Sequence, residues 1–316
     1  MTNEIVISVL FACHNGEKRL RRTLDSFAAQ DFPFDRWELI AVDNNSNDNT
    51  FAILQDYRDR LPIIAMQHAA PGKSRALNAG LERVRGRLLV LTDDDVRAER
   101  DWLRRFCHCA DLNPDYSIFG GRIIPEWESY PEGDPLMKWI PMGSTFAIID
   151  EHQSQPCEAN MVWGPNTMIR RQSIPAGTRF REDIGPLAGG IYPMGQDQEF
   201  IMRLSKHGLK AYYCAEAIVH HWIPASNVKE EWVQRRGERL GYGVPALFPN
   251  EIPSGPKLRG VPLATWLESI HWSLRAALFY YLPRSKWRFW AIWKYYYMRG
   301  YRAGIRRFAP KTISQP

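Results

Sequence analysis

Over roughly the first 125 residues, short apolar runs alternate with amphipathic stretches, and this alternation constrains the fold more than any other feature of the chain. The runs Ile5 to Ala12, Trp37 to Val42, Ile63 to Gln67, Leu88 to Thr92 and Ile118 to Ile123 are the expected strands. Between them, Leu20, Leu24 and Phe27 fall on one helical face, as do Leu77, Leu81 and Val84, while Asp101 stands as an N-cap before Trp102, Leu103 and Phe106. Strands separated by helices give an α/β fold with a mostly parallel central sheet flanked by helices. A chain of 316 residues has room for that domain and a smaller appendage.

Further along, residues 125–155 lack a clean period and are expected as loop. A strand is expected over Met161 to Ile169 and a helix over Asp197 to His207, with Asp197 at the N-cap and Gly208 as its C′ stop. The five prolines between Gly243 and Pro262 argue against a helix there. The expected division is therefore a catalytic domain over 1–242, a Pro-rich linker over 243–262 and a basic, aromatic helical tail over 263–316.

Ligands of open α/β sheets bind beyond the carboxyl ends of the strands, and here those ends are polar. The first strand runs into Cys13-His14-Asn15-Gly16, the second into Asp43-Asn44-Asn45-Ser46, and the fourth into Asp93-Asp94-Asp95. No GxGxxG follows the first strand, which weakens a dinucleotide-binding reading. Three adjacent carboxylates repel one another unless a cation is present, and Mg²⁺ or Mn²⁺ takes hard oxygen ligands of this type. Strand geometry lets Asp93 and Asp95 project together while Asp94 points away. Lys73 and Arg75 open a helix after Pro71-Gly72 and suit anionic oxygens, or else form a solvated helix start. Asp43 either accepts from a nucleobase N–H or shapes an Asx turn. Asp197 either caps its helix or takes a proton from an attacking hydroxyl. Of His220 and His221, only one can point inward.

Taken in order, these residues resemble glycosyltransferase family 2, inverting enzymes of the GT-A fold. The resemblance runs over about residues 5 to 240, through Cys13-His14-Asn15, Val42 to Ser46, Gly72 to Asn78, Thr92 to Asp95, Gly120-Gly121-Arg122, Gly164-Pro165-Asn166, Gly195-Gln196-Asp197 and Val219-His220-His221. It implies sugar transfer from a nucleoside-diphosphate donor, UDP- or GDP-linked, to a hydroxyl on a saccharide or lipid-linked acceptor, in the making of a cell-surface polysaccharide or glycolipid. By that resemblance Asp197 is the general base, Asp95 binds Mg²⁺ or Mn²⁺ with Asp93 and His221 near it, and Asp43 contacts the nucleobase. Cys13, Asn15, Asn45, Lys73, Arg75, Asn78, Asp93 and Asp94 are the remaining donor contacts it implies, and Arg122, Trp163, Asn166 and Gln196 the sugar or acceptor contacts. One departure is visible: the family usually has Glu-Asp where this chain has Gln196-Asp197, and losing a neighbouring carboxylate should make Asp197 easier to ionise. The rival readings are a sugar-nucleotide nucleotidyltransferase and a non-enzymatic nucleic-acid binder acting through the tail. No nucleic-acid partner is expected, since the tail lacks a recognisable binding module.

The net charge of +6 conceals an asymmetry. From Lys257 onward there are twelve Lys and Arg against the single acid Glu268, so this segment carries +11 and the remainder −5. Its many Trp and Tyr residues favour a membrane–water boundary, and its cations favour anionic lipid. The expectation is a peripheral, cytoplasmic enzyme on the inner face of the cell membrane; the alternative is that these aromatics pack into the fold. Nothing reaches the roughly 18 apolar residues that a membrane span needs, and the polar turn after the first apolar run reads as a core strand and not a secretory signal. The five cysteines, Cys13, Cys107, Cys109, Cys157 and Cys214, show no CxxC spacing and are expected as free thiols in a reducing compartment.

Overall fold

The computed structural model describes residues 4–187 and 190–308; residues 309–316 of the expected tail lie outside them. In chain order the helices and strands are β1 (Ile7–Cys13), α1 (Leu20–Ala28), β2 (Trp37–Asp43), α2 (Thr50–Asp56), β3 (Ile63–Gln67), α3 (Lys73–Leu81), β4 (Leu88–Thr92), β5 (Val96–Ala98), α4 (Trp102–Leu112), β6 (Ile118–Trp127), α5 (Met142–Phe146), β7 (Gln155–Cys157), β8 (Asn166–Arg170), α6 (Gln196–Lys206), β9 (Ala211–Ile223), α7 (Glu230–Leu247), β10 (Lys257–Leu258), β11 (Val261–Pro262), α8 (Leu263–Tyr280) and α9 (Lys286–Phe308). They fall into two compact units. One comprises residues up to 126, 146–182 and 196–222; the other comprises 127–145, 183–195 and 223 onward.

The first unit carries a central sheet whose order is β3-β2-β1-β4-β8-β6-β9-β5, with β7 paired to β9. β3, β2, β1 and β4 are parallel, as the alternation predicts. Beyond β4 the sheet turns antiparallel, at β4–β8, β6–β8, β5–β9 and β7–β9. β1 and β2 are buried along their whole length, as inner parallel strands covered on both faces must be. Alternation divides their side chains between two cores. Val9, Phe11, Leu39 and Ala41 meet Leu24 and Phe27 of α1 and Trp102 and Phe106 of α4. Leu10, Ala12, Ile40 and Val42 meet Leu77 of α3 and Phe200, Ile201 and Leu204 of α6.

Four local expectations change. The strand expected from Met161 begins only at Asn166, because Ala159–Met161 is a 3-10 turn. The 125–155 stretch holds the short helix α5 and a 3-10 turn over Pro135–Lys138. α7 continues through Leu247 despite Pro245, which lies in its last turn, where one intrahelical hydrogen bond is forfeited and little helix remains to disrupt. The cysteines are not all free: Cys109 of α4 and Cys214 of β9 form a disulfide, leaving Cys13, Cys107 and Cys157 as thiols. The two partners are 105 residues apart, so no spacing motif announces them. Their pairing removes two of the five thiols on which the reducing-compartment argument rested.

In the second unit α9 packs along α7 and against α8. Glycines set the α7–α9 spacing: a Cβ at Gly241 would lie 2.1 Å from the Tyr297 carbonyl oxygen, and one at Gly300 1.9 Å from that of Glu238. No helix among the described residues is long and apolar enough to cross a membrane.

Candidate active site

The sheet's registers assemble the site. Thr92 at the end of β4 stands opposite Asn166, and its hydroxyl donates to the Pro165 carbonyl at 2.8 Å, which fixes Gly164-Pro165 beside the start of the Asp triplet. Gly164 in turn is where α6 comes closest. A Cβ there would lie 2.3 Å from Oδ2 of Asp197, so only glycine leaves room for that carboxylate. From the other side α3 begins at Gly72, whose φ of 135° requires glycine. Asn44 braces this turn, accepting from the Gly72 N–H and donating to the Ala70 carbonyl, both at 2.8 Å.

Lys73 is thereby delivered between two carboxylates, its Nζ 2.5 Å from Oδ1 of Asp93 and 3.8 Å from Oδ2 of Asp197. Burial alone would favour the neutral amine, but Asp197 and Asp93 outweigh it and hold the lysine protonated, its pKa raised. Asp197 is not the N-cap: α6 starts one residue earlier, and the carboxylate faces Lys73 and the Gln196 amide, which donates to Oδ2 at 2.9 Å. Its pKa is raised, first by burial, with Lys73 opposing and Asp93 adding to the rise. The change from Glu to Gln at position 196 does supply a donor to the carboxylate, yet burial outweighs it.

Asp95 and His221 meet because β5 pairs with β9. Val96 stands opposite His221, and the Trp222 N–H donates to the Asp95 carbonyl at 2.9 Å. His221 Nδ1 lies 2.7 Å from the Phe146 carbonyl and donates to it, which turns Nε2 toward Oδ1 of Asp95, 3.4 Å away; burial lowers the imidazole pKa, but Asp95 and Asp93 outweigh it and the net shift is upward. Oδ1 of Asp95 is buried and has no hydrogen-bond partner. Burial raises the Asp95 pKa, but His221, Arg19 and Lys73 together outweigh it, and the net shift is downward. His220 points the other way, to Glu99 at 2.7 Å, as strand alternation requires. Among the described residues no set of three His, Cys, Asp or Glu side chains forms a closed metal site. An orphaned carboxylate oxygen beside an imidazole nitrogen still fits a divalent ion that completes its shell with phosphate oxygens.

Asp94 does point away from its neighbours. It accepts from Arg19 at 2.8 Å, and burial, opposed by Arg19, lifts its pKa to about 6. Arg19, which also donates to the His14 and Asn15 carbonyls, has no motif to mark it in the sequence. Asp43 is 1% exposed; its Oδ1 accepts from the Ser46 N–H, the Asx-turn alternative, and Oδ2 from Gln67 at 3.4 Å. Asn15 and Asn45 adopt positive φ at the strand ends, where asparagine is tolerated. Arg75 pairs with Glu182 at 3.2 Å, and Arg122 with Asp150 at 2.5 Å.

Three side chains for which contacts were implied are instead buried and bonded within the fold. The Asn166 amide is 0% exposed and donates to the Arg122 and Ala217 carbonyls while accepting from the Trp102 indole, so it staples strands and does not face a sugar. Asn78 is 3% exposed and exchanges hydrogen bonds with the Phe180 backbone. The Cys13 thiol is in the core, its pKa raised by burial, and donates to the Val42 carbonyl, so no donor contact comes from its side chain. Trp163 packs against the same core, and Gln196 serves Asp197.

Residues 8–176, just over half of the chain, match the sequence family described as Glycosyl transferase family 2. The chain belongs to this family. It is accordingly a transferase enzyme, and the nucleotidyltransferase reading is set aside. Among its relatives, glycosyltransferase AglE of Haloferax volcanii is 28% identical over 218 residues, covering 68% of this chain and 66% of AglE. The poly(ribitol-phosphate) beta-N-acetylglucosaminyltransferase TarS of Staphylococcus aureus is 33% identical over 101 residues, 31% of this chain and 17% of TarS. The chain spans only 24% and 17% of the length of the first relatives it matches. Among solved structures, TarS residues 1–349 with UDP superimpose with a TM-score of 0.55 at 18% identity, covering 93% of this chain and 90% of that one. The mannosyltransferase PcManGT of Pyrobaculum calidifontis, with GDP-Man and Mn²⁺, gives 0.58 at 16% identity, covering 95% and 86%. These likenesses establish the fold of this family 2 glycosyltransferase as GT-A.

Proposed function

We propose that this enzyme transfers a sugar from a UDP- or GDP-linked donor to an acceptor hydroxyl with inversion at the anomeric carbon. The observation that carries this reading is the Asp93–Lys73–Asp197 bridge, which ties a carboxylate free of helix capping to the metal-type carboxylate run. Asp197 accepts the hydroxyl proton, its basicity increased by burial. Gly164 and Gln196 fix where that carboxylate stands. Lys73 offers a fixed positive charge to diphosphate oxygens. Asp95 and Nε2 of His221 would hold Mg²⁺ or Mn²⁺, with Asp93 beside them; when bound, the ion neutralises the departing diphosphate. That TarS structures carry UDP and UDP-GlcNAc, and PcManGT carries GDP-Man with Mn²⁺, supports the donor class.

The acceptor proposed is a saccharide or lipid-linked hydroxyl used in cell-surface polysaccharide or glycolipid synthesis, reached by an enzyme seated peripherally on the inner face of the membrane. For domain organisation, we place the catalytic chemistry in the first unit and the membrane-associated tail, from residue 263 on, in the second; the expected boundary at 242 and linker over 243–262 do not separate them, since α7 runs through Leu247 and packs along α9. The test is a panel of nucleotide sugars scored by thermal shift with and without Mn²⁺, since a bound donor raises apparent stability by mass action. The anomeric configuration of the product made from the donor so identified then follows by NMR. Inversion is expected; a retained configuration, or no shift with any nucleotide sugar, overturns the reading.

A further inference from the structure

The outer face of α8 is inverted relative to an ordinary surface helix. Its buried residues are Thr265, Ser269 and Ala276. Its leucines face outward: Leu267, Leu274 and Leu278 are 69%, 67% and 71% exposed, and Leu263 and Ile270 are exposed as well. These positions recur every three or four residues, so they form one stripe along a helix about 27 Å long. Past its end, Tyr281 and Trp287 are exposed at 90% and 73%. A contiguous aliphatic stripe of this kind marks a surface that something covers.

α9 does not share this character. Phe289 and Trp293 are buried, Trp293, Tyr297 and Tyr301 stack in series, and Trp266 lies under the guanidinium of Arg302 at 4.4 Å. Several of the aromatics that suggest a membrane seat from sequence are therefore engaged in packing within the second unit, Phe289 and Trp293 fully and Trp266, Tyr297 and Tyr301 in part. The outward aliphatic surface belongs to α8, with the exposed Tyr281 and Trp287 just beyond its end.

We propose that the α8 stripe is the element that inserts into the membrane, its occupant being the surface of an anionic lipid bilayer. This rests on the peripheral reading above and changes which residues carry it. Charge decides between a bilayer and a second copy of the chain. The segment from Lys257 onward carries +11, with Glu268 its only acid, and Lys257, Arg259, Arg275 and Lys286 are exposed around the stripe. Pairing two copies through this face would bring like charges together, whereas anionic headgroups meet the cations as the leucines enter the acyl boundary.

The experiment floats the purified full chain with phosphatidylcholine vesicles, with and without phosphatidylglycerol, and compares Leu267→Gln/Leu274→Gln/Leu278→Gln with Arg275→Gln/Lys286→Gln. All three leucines are exposed, so the triple variant keeps its melting temperature and its transfer rate to a soluble acceptor. Its partitioning to anionic vesicles should weaken by on the order of 10²-fold. The charge variant should weaken its preference for phosphatidylglycerol, by on the order of 10-fold or more. If wild type floats and the triple variant floats equally, the α8 inference is wrong while the peripheral reading stands. If wild type fails to float on anionic vesicles at low salt, the peripheral reading falls and takes the inference with it, leaving sugar transfer untouched. A dimer in light scattering that the triple variant dissolves, without vesicle binding, would make the stripe a subunit interface and overturn the proposal.

Discussion

Replacing Gly164 with alanine should impair turnover while leaving donor binding intact. The added Cβ would stand 2.3 Å from Asp197 Oδ2, 2.6 Å from its Cγ and 2.9 Å from its Cβ. Ordinary contact begins at 3.4 Å, so the carboxylate must retreat by roughly 1 Å. Gly164 has no positive φ, so alanine is compatible with its backbone and the effect acts through Asp197. The retreat pulls Asp197 from the Gln196 amide and from Lys73. Misplacing a reacting group by about 1 Å can cost on the order of 10²-fold in rate, close to 2.7 kcal/mol of barrier. Initial rates at saturating donor give kcat, and calorimetry with Mn²⁺ gives donor affinity. A protein with lowered kcat, unchanged donor Kd and a melting point near wild type is expected. Near wild-type kcat in Gly164→Ala would refute the claim that this glycine positions a catalytic carboxylate.

Four further outcomes follow from the structure. Asp95→Ala should abolish the Mn²⁺ dependence of donor affinity, because it removes the oxygen that has no hydrogen-bond partner; titrating donor with and without chelator checks this. Asp197 must be ionised to accept a proton and its pKa is raised, so kcat should fall on the acid side at a pH above the usual carboxylate range. Gln196→Glu, which exchanges a hydrogen-bond donor for a like charge, should move that limb to still higher pH in a pH–rate profile. Gly300→Ala, whose Cβ meets the Glu238 carbonyl oxygen at 1.9 Å, should destabilise the protein by about 1–3 kcal/mol in denaturant unfolding, because backbone cannot step aside as a side chain can.

The parallel half of the sheet was legible because β1, β2 and β4 are fully buried runs, and β3 a half-buried one, separated by one-faced helices. In the antiparallel half β6 and β8 were legible as apolar runs, but β5 and β7 are three residues each, too short to show a period. Asp93, Asp95 and Asp197 were legible as ordered carboxylates. An amide in a motif looks the same in the sequence whether it meets a ligand or a neighbouring backbone, and Asn78 and Asn166 meet backbone. Asn166 is completed by Trp102 and two carbonyls, a pairing visible only once the strands are in register. The exposed leucines of α8 escaped notice for a related reason: a helical stripe gives the same periodicity whether it faces a core or the outside.

The most direct test of the account is Asp197→Asn. Asparagine keeps the size of the side chain beside Lys73 and Gln196 but cannot accept the hydroxyl proton. Donor affinity in the presence of Mn²⁺ should stay within a few-fold of wild type, while kcat for transfer falls on the order of 10²-fold or more. An asparagine variant that transfers sugar at near wild-type kcat would contradict the assignment of Asp197 as the base.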